Sequence, residues 1–227
     1  MSDSTHDHGP SHDGYHSDWE PHFDGAWWDE HYGSSPTLWS GKPNPVLVAE
    51  VTGLPPGRAL DVGSGEGADA LWLAAMGWQV LGTDVSQVAL DRAAAATDAA
   101  GLSDRVMWVQ QDLLAWTPPA QAFDLVSAQF FHLPADIRPR IYAGLAGSVA
   151  PGGTFLVVAH HPSDLDTTMG RPPVEELFFT AEDLADRLDD SWDLQVVDAR
   201  QRTAKDDEGR DVAIADTVLK ARRRSAG

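Results

Sequence analysis

The sequence predicts an α/β fold in which a seven-stranded, mostly parallel sheet carries helices on both faces. Short apolar runs alternate with helical patterns from about residue 46 to residue 222, as parallel strands joined by helical crossovers require. The last two apolar runs are joined through the turn sequence Asp206–Gly209, which predicts an antiparallel pair at the end of the sheet. A chain of 227 residues is long enough to bury the core of one such domain.

Local patterns predict each element in turn. Ser86 is well placed to cap the long alanine-rich helix, and Gly101 to end it. Thr180 and Asp183 predict a capping box before the last helix. The predicted helices are 45–51, 68–76, 87–100, 136–149 and 181–188. The predicted strands are 59–62, 78–84, 106–112, 123–129, 155–159, 194–200 and 212–220.

Composition divides the chain into four parts. Residues 1–24 are rich in His, Asp, Ser and Gly and are predicted to be a disordered arm. Residues 25–45 turn to Trp, Gly and Pro, residues 46–222 hold the α/β domain, and 223–227 form a tail. Metal binding by the arm is an open alternative, although its histidines follow no helix or turn spacing. They are His6, His8, His12, His16 and His22.

Charge and composition favour a small-molecule partner. A net charge of −19 repels phosphate backbones and anionic membranes, so nucleic-acid and membrane partners are not expected. No apolar run approaches the roughly 20 residues that span a bilayer, and no secretory pattern is present, so we expect a cytoplasmic protein. The chain has no cysteine, which excludes disulfides and thiolate metal sites. No metal site is predicted in the domain, and the oligomeric state is open.

The segment 59–68 reads as a strand, a glycine turn and the start of a helix. Gly63, Gly65 and Gly67 let the backbone turn tightly and approach a ligand closely. The N–H groups at the start of the following helix point towards that ligand. The segment therefore predicts a site for a nucleotide-type cofactor.

Asp61 helps to decide which cofactor this is. The glycine spacing also satisfies the loosened NAD fingerprint. A carboxylate at position 61 would crowd a pyrophosphate, but it suits a cofactor with a positively charged amino group. The Asp-x-Gly-x-Gly-x-Gly pattern resembles the first motif of the class I S-adenosylmethionine-dependent methyltransferases.

Later motifs follow in the order of that family. The second strand ends at Asp84-Val85, where a carboxylate can accept both ribose hydroxyl protons, a feature shared with NAD proteins. Asp112-Leu113 is similar to the family's adenine-contacting pair. The run ending at Gln129 resembles the fourth-strand motif, and we expect Gln129 near the aminopropyl side of the cofactor.

The turn 149–154, with its Pro-Gly-Gly sequence, is similar to the family's turn before the fifth strand. The resemblance implies a Rossmann-like fold, S-adenosyl-L-methionine as the cofactor and methyl transfer as the reaction.

A narrower resemblance concerns residues 25–45. Trp27, Trp28 and Tyr32 are spaced to share one face of a short helix. With the Trp and Asn-Pro that follow, the segment resembles the thiopurine S-methyltransferase and tellurite-resistance methyltransferase type. In those enzymes an N-terminal lid folds over the cofactor. The resemblance implies that Trp39 and Lys42 lie near the methionine moiety.

Candidate catalytic groups follow the fourth and fifth strands, where open α/β sheets bind ligands. His160 and His161 are the candidate bases, with His132 as a further candidate. The competing interpretation is a loop histidine satisfied by backbone hydrogen bonds. Arg171 is a candidate for holding an anionic acceptor, although an exposed loop arginine is the commoner outcome.

The function predicted from these residues is methyl transfer to a small molecule, with a thiol or another soft nucleophile favoured. O- or N-methylation of a small metabolite is the alternative. An NAD-dependent oxidoreductase and a non-catalytic cofactor- or metal-binding protein are the competing classes. The sequence is silent on the identity of the acceptor.

Overall fold

The computed structural model describes residues 24–172 and 174–225, so the predicted histidine-rich arm lies outside the described residues except for Asp24. The described strands form one sheet in the order β3-β2-β1-β4-β5-β7-β6. Strands β1 to β5 are parallel, and β7 is antiparallel to both β5 and β6. This arrangement confirms the predicted fold class. The strands are β1 Arg58–Val62, β2 Gln79–Asp84, β3 Val106–Gln110, β4 Phe123–Gln129, β5 Val149–His160, β6 Trp192–Lys205 and β7 Asp211–Arg223.

Helices connect the parallel strands except for β3 and β4, which a loop joins, and both predicted caps are present. The Ser86 hydroxyl accepts the Ala89 N–H, and Thr180 with Asp183 completes a capping box. The last predicted helix ends early because its final N–H groups bond three residues back, in a tightened turn. The α-helices are α1 Gly25–Gly33, α2 Pro45–Val51, α3 Ala68–Ala75, α4 Gln87–Ala99, α5 Arg138–Gly147 and α6 Ala181–Ala185. The described residues also form 3₁₀ helices at Pro162–Asp166 and Glu175–Leu177.

Two apolar layers cover the sheet, one on each face. Alternate side chains of β5 show the division: Phe155 and Val157 pack in the layer with α5 and α6, whereas Leu156 and Val158 pack in the layer with α2 and α3. Because successive strand residues point to opposite faces, a continuous apolar run in the sequence fills both layers.

The turn predicted at 149–154 lies inside β5 rather than before it. Val149 pairs with Phe123, and the register then jumps so that Thr154 pairs with Leu125. The residues between them bulge out, with Gly152 at a φ of 81°. Strands β6 and β7 also run further than predicted, because their hairpin stays paired out to Lys205 and Asp211.

Within the described residues, no helix combines the length and the apolar character that crossing a membrane requires.

Candidate functional site

The glycine loop between β1 and α3 has the backbone shape that its sequence predicts. Gly63, Gly65 and Gly67 have φ values of 62°, 52° and 85°, a region that other residues rarely adopt. A Cβ at Gly63 would lie 2.9 Å from the Phe131 ring, and one at Gly65 would lie 2.9 Å from the Tyr32 hydroxyl. Glycine is therefore required here by conformation and by space.

Asp61 and Ser64 carry buried polar atoms that point to a ligand. Asp61 is only 2% exposed. Its Oδ2 and the Ser64 hydroxyl oxygen have no hydrogen-bond partner among the described residues. Burial raises the pKa of Asp61 well above its usual range, and the neighbouring Asp69 and Asp84 raise it further. A cationic amino group at this position would supply the missing donor and offset the repulsion.

Asp84 ends β2 beside the same loop. Its Oδ2 accepts the Gly65 N–H at 2.8 Å, and its Oδ1 accepts the Ser86 N–H at 2.9 Å. Each carboxylate oxygen has a further lone pair, so the group can also accept from a pair of hydroxyls. The neighbouring Val85 carbonyl accepts from the Gln110 amide at 2.9 Å.

The two residues expected at the adenine lie just after β3. Asp112 is exposed, and its Oδ1 accepts the Leu114 N–H at 2.8 Å. The Leu113 side chain packs into the core and is 8% exposed. Only the backbone of Leu113 is therefore left for a ligand contact, and the roles of both residues stay predictions.

Helix α1 confirms the short helix predicted in residues 25–45. Asp24 caps it by accepting the Trp27 N–H at 2.9 Å. The rings of Trp28 and Tyr32 lie together, with centroids 5.9 Å apart. The Asp29 carboxylate accepts from the Ser86 hydroxyl at 2.6 Å, which ties α1 to the start of α4.

Residues that follow α1 lie over the glycine loop. Tyr32 is buried, and its hydroxyl accepts the Trp39 indole N–H at 3.1 Å. The indole nitrogen also lies 3.4 Å from the position of a Cβ on Gly65. Trp39 is therefore beside the glycine loop, whereas Lys42 is exposed. The expected position of both residues near the methionine moiety stays a prediction.

Gln129 at the end of β4 connects to the segment 25–45 through Asn44. The Asn44 amide donates to Gln129 Oε1 at 2.9 Å, and the Asn44 backbone N–H donates to Asp69 at 2.6 Å. Burial raises the pKa of Asp69 to about 6. The side chain of Asn44 also caps α2 by accepting the Val46 N–H.

An aromatic wall, formed by Phe130, His132, His160 and Phe178, lies at the carboxyl ends of β4 and β5. The His160 ring lies 4.6 Å from Phe130 and 4.9 Å from His132, centroid to centroid. The His132 and Phe178 rings are 6.1 Å apart. Phe130 has a φ of 53°, which is a strained backbone for a bulky residue, and strained residues of this kind cluster at functional sites.

Two of the candidate histidines make backbone hydrogen bonds. His132 Nε2 accepts the His160 N–H at 3.1 Å, and its Nδ1 lies 2.9 Å from the Phe130 carbonyl, so Nδ1 carries the proton. Burial lowers the pKa of His132 to about 4, so its imidazole is neutral near pH 7. The neutral ring connects the ends of β4 and β5 through these hydrogen bonds. His161 Nδ1 accepts the Ser163 N–H at 3.1 Å. The base roles of His160 and His161 stay predictions.

Arg171 does not have the exposed position that its loop suggested. Its guanidinium binds Asp164 Oδ2 at 2.7 and 3.1 Å, and Asp164 is fully buried. Asp164 Oδ1 also accepts the Ala215 N–H at 2.9 Å. Arg171 therefore holds the loop after β5 against β7, and the expectation of an exposed loop arginine is wrong.

Sequence reasoning missed several residues of this site. Glu66 and Arg92 both contact the segment 25–45, and Asn44 joins it to Gln129. Their partners are far away along the chain, so no local pattern could have identified them. Over the described part of the chain, no group of histidine and acidic side chains is arranged to hold a metal ion.

Comparison with known proteins gives a consistent result. The family model described as "Methyltransferase domain" matches residues 59–153. A probable thiol methyltransferase of Arabidopsis thaliana is 29% identical over 65% of this chain and 66% of its own length. The 2-heptyl-1-hydroxyquinolin-4(1H)-one methyltransferase of Mycobacteroides abscessus is 30% identical over 61% of this chain and 63% of its own. The matched region thus spans slightly less than two thirds of these relatives.

Solved structures share the fold. TehB from Haemophilus influenzae superposes with a TM-score of 0.67 at 18% identity, over 86% of this chain and 67% of its own. A protein studied for the conversion of a disulfide bond into a thioacetal group during echinomycin biosynthesis gives a TM-score of 0.69 at 23% identity, over 89% and 93%.

Proposed function

We propose that this chain, a class I S-adenosylmethionine-dependent methyltransferase with S-adenosyl-L-methionine as its cofactor, methylates a small molecule on a soft nucleophilic atom such as a thiol sulfur. The observation that carries the cofactor site is the buried Asp61 oxygen, which lacks a donor beside the glycine loop. The thiol methyltransferase among the relatives supports a soft acceptor.

The residues of the loop fit this cofactor. Asp61 would hold the amino group, Asp84 the ribose hydroxyls, and the loop around Gly65 would lie against the rest of the molecule. When bound, the cofactor supplies a methyl group on a cationic sulfur: a lone pair of the acceptor forms the new bond to the methyl carbon, and the electron pair of the broken carbon–sulfur bond stays on the cofactor sulfur. The chain's own task is therefore to position the two partners and exclude water.

The aromatic wall suits a soft acceptor. Sulfur makes favourable contacts with aromatic rings, and Phe130 is 36% exposed at this surface. A thiolate is nucleophilic near neutral pH and needs little help from a base. The neutral, hydrogen-bonded His132 agrees with such a reaction.

An oxygen acceptor is the second candidate. The hydroxyquinolone methyltransferase among the relatives favours it, and the imidazole of His160 lies at the aromatic wall. A hydroxyl acceptor would need a base to take its proton. The NAD alternative is disfavoured by Asp61, whose buried carboxylate would repel a pyrophosphate.

Calorimetric titration with S-adenosylhomocysteine tests the cofactor site, with NAD as the control ligand. We expect binding of S-adenosylhomocysteine alone, and its loss in Asp84→Ala. A panel of small thiols and phenols, assayed for methyl acceptance by mass spectrometry, then tests the acceptor class. Methylation of phenols but not thiols would overturn the soft-acceptor proposal, and absence of S-adenosylhomocysteine binding would overturn the cofactor site.

A further inference from the structure

Arg92 on α4 binds two backbone carbonyls of the segment 25–45, which we call the lid. Its Nη2 donates to the carbonyls of Tyr32 and Ser35, each at 2.7 Å. Its Nη1 contacts Glu66 Oε1 at 2.8 Å. A single guanidinium thus joins the end of α1 to the glycine loop.

Glu66 binds the lid a few residues further along the chain. Its carboxylate accepts the backbone N–H groups of Leu38 and Trp39, at 3.2 and 3.1 Å. Arg92 therefore binds lid carbonyls at residues 32 and 35, and Glu66 binds lid N–H groups at residues 38 and 39. All of these hydrogen bonds involve a charged partner, which makes them stronger than neutral ones.

Both charged groups are shielded from solvent. The side chains of Arg92 and Glu66 are 27% and 14% exposed, so salt screens this pair less than it screens a fully exposed one. Glu66 lies between Gly65 and Gly67, and Gly65 donates to Asp84. A movement of the glycine loop would therefore displace Glu66 and, with it, the lid N–H groups that Glu66 binds.

We propose that Glu66 and Arg92 form a latch that holds the lid closed over the cofactor. The latch fixes the backbone of Tyr32, and this places the Tyr32 hydroxyl and Trp39 over Gly65. Both latch residues are positioning residues, since they act on a ligand through the lid. The proposal rests on the cofactor site proposed above.

The test compares Arg92→Gln and Glu66→Gln with Arg200→Gln. Arg200 makes a matched ion pair with Glu50, at 2.8 Å and with side chains 31% and 15% exposed, between β6 and α2. We expect Arg92→Gln to raise the dissociation constant of S-adenosylhomocysteine about tenfold, as loss of charge-assisted bonds predicts. Hydrogen exchange of the lid amides should become faster in that variant, and Arg200→Gln should change neither quantity.

Graded substitutions separate the latch from a general loss of structure. Glu66→Gln keeps one oxygen that can accept the lid N–H groups, so its effect should be smaller than that of Arg92→Gln. Arg92→Lys should restore part of the affinity, and the double variant should fall short of the sum of the two single changes.

Unchanged affinity and unchanged lid exchange in Arg92→Gln and Glu66→Gln would overturn the latch, while wild-type binding would leave the proposed function intact. Absence of binding by the wild-type protein would overturn both proposals. If Arg92→Gln does not fold, Glu66→Gln alone decides the result through its lid exchange.

Discussion

Asp61 shows how a single residue can be poor for stability and useful for binding. Its carboxylate is buried, lacks a donor at Oδ2 and lies near two other carboxylates. The charged form is therefore unfavourable in the ligand-free protein, which is the meaning of its raised pKa. A cationic ligand group would favour the charged carboxylate instead. The same side chain that destabilises the free protein would therefore make the site selective for positive charge.

Asp61→Asn tests this trade-off. The amide keeps the shape of the side chain and cannot ionise, so it removes the destabilisation that the raised pKa of Asp61 causes above the ordinary carboxyl pKa. We therefore expect a higher melting temperature for the ligand-free variant at neutral pH. The affinity for S-adenosylhomocysteine should fall by about tenfold or more, because the bond to its amino group loses a charge. A lower melting temperature would show that the carboxylate stabilises the free protein, contrary to this account.

His160→Ala and His161→Ala test the base proposal. For a thiol acceptor we expect small losses of turnover, because little base assistance is needed. For a hydroxyl acceptor, loss of a working base should lower the rate by about 10²–10⁴-fold. Turnover on a hydroxyl acceptor that survives both substitutions unchanged would exclude these histidines as bases.

Strand β2 illustrates how one element depends on the next. The Trp108 indole of β3 lies directly over Gly82, where a Cβ would overlap the ring. The Trp108 N–H donates to Thr97 on α4 at 3.1 Å, which restricts how far the ring can move. The smallest side chain in β2 thus makes room for the largest one in β3.

Gly82→Ala should therefore lower the free energy of unfolding by about 1–3 kcal/mol, the usual cost of overpacking. Gly147→Ala is the matched control, because a Cβ at the end of α5 meets nothing within 4 Å and alanine favours a helix. Urea unfolding of both variants measures the difference. Equal stability of Gly82→Ala and the wild type would mean that Trp108 moves freely.

At the scale of the whole molecule, buried groups make stability depend on pH in opposite directions. Asp69 has a pKa of about 6 against an ordinary value of 3.8. The raised pKa destabilises the folded protein by an amount that is zero below about pH 3.8, grows as the pH rises and is complete above about pH 6. His132 acts oppositely, because its lowered pKa of about 4 makes stability fall as the pH drops below 6.5.

Comparison of Asp69→Asn with the wild type isolates the first effect. We expect the variant to have the higher melting temperature at about pH 7.5, and the difference to shrink towards zero near about pH 4. Thermal unfolding across this range measures it. A difference that is constant with pH would show that Asp69 titrates normally.

Much of this molecule could be predicted from its sequence, because the relevant signals are local. The glycine loop, the Ser86 cap and the Thr180 capping box each depend on residues a few positions apart. The lid contacts could not be predicted in this way. Arg92 meets Tyr32 across 60 positions and Asn44 meets Gln129 across 85, so only the folded chain brings them together.

The lid contacts also bear on the order of events in each turnover. If a closed lid covers the cofactor, the spent cofactor leaves only after Arg92 and Glu66 release their backbone partners. The cofactor should then bind first and its product leave last, in a compulsory-order kinetic scheme. Lid opening, rather than methyl transfer, would then be the rate-limiting step. A variant with a loosened lid would therefore bind the cofactor more weakly and have a higher kcat.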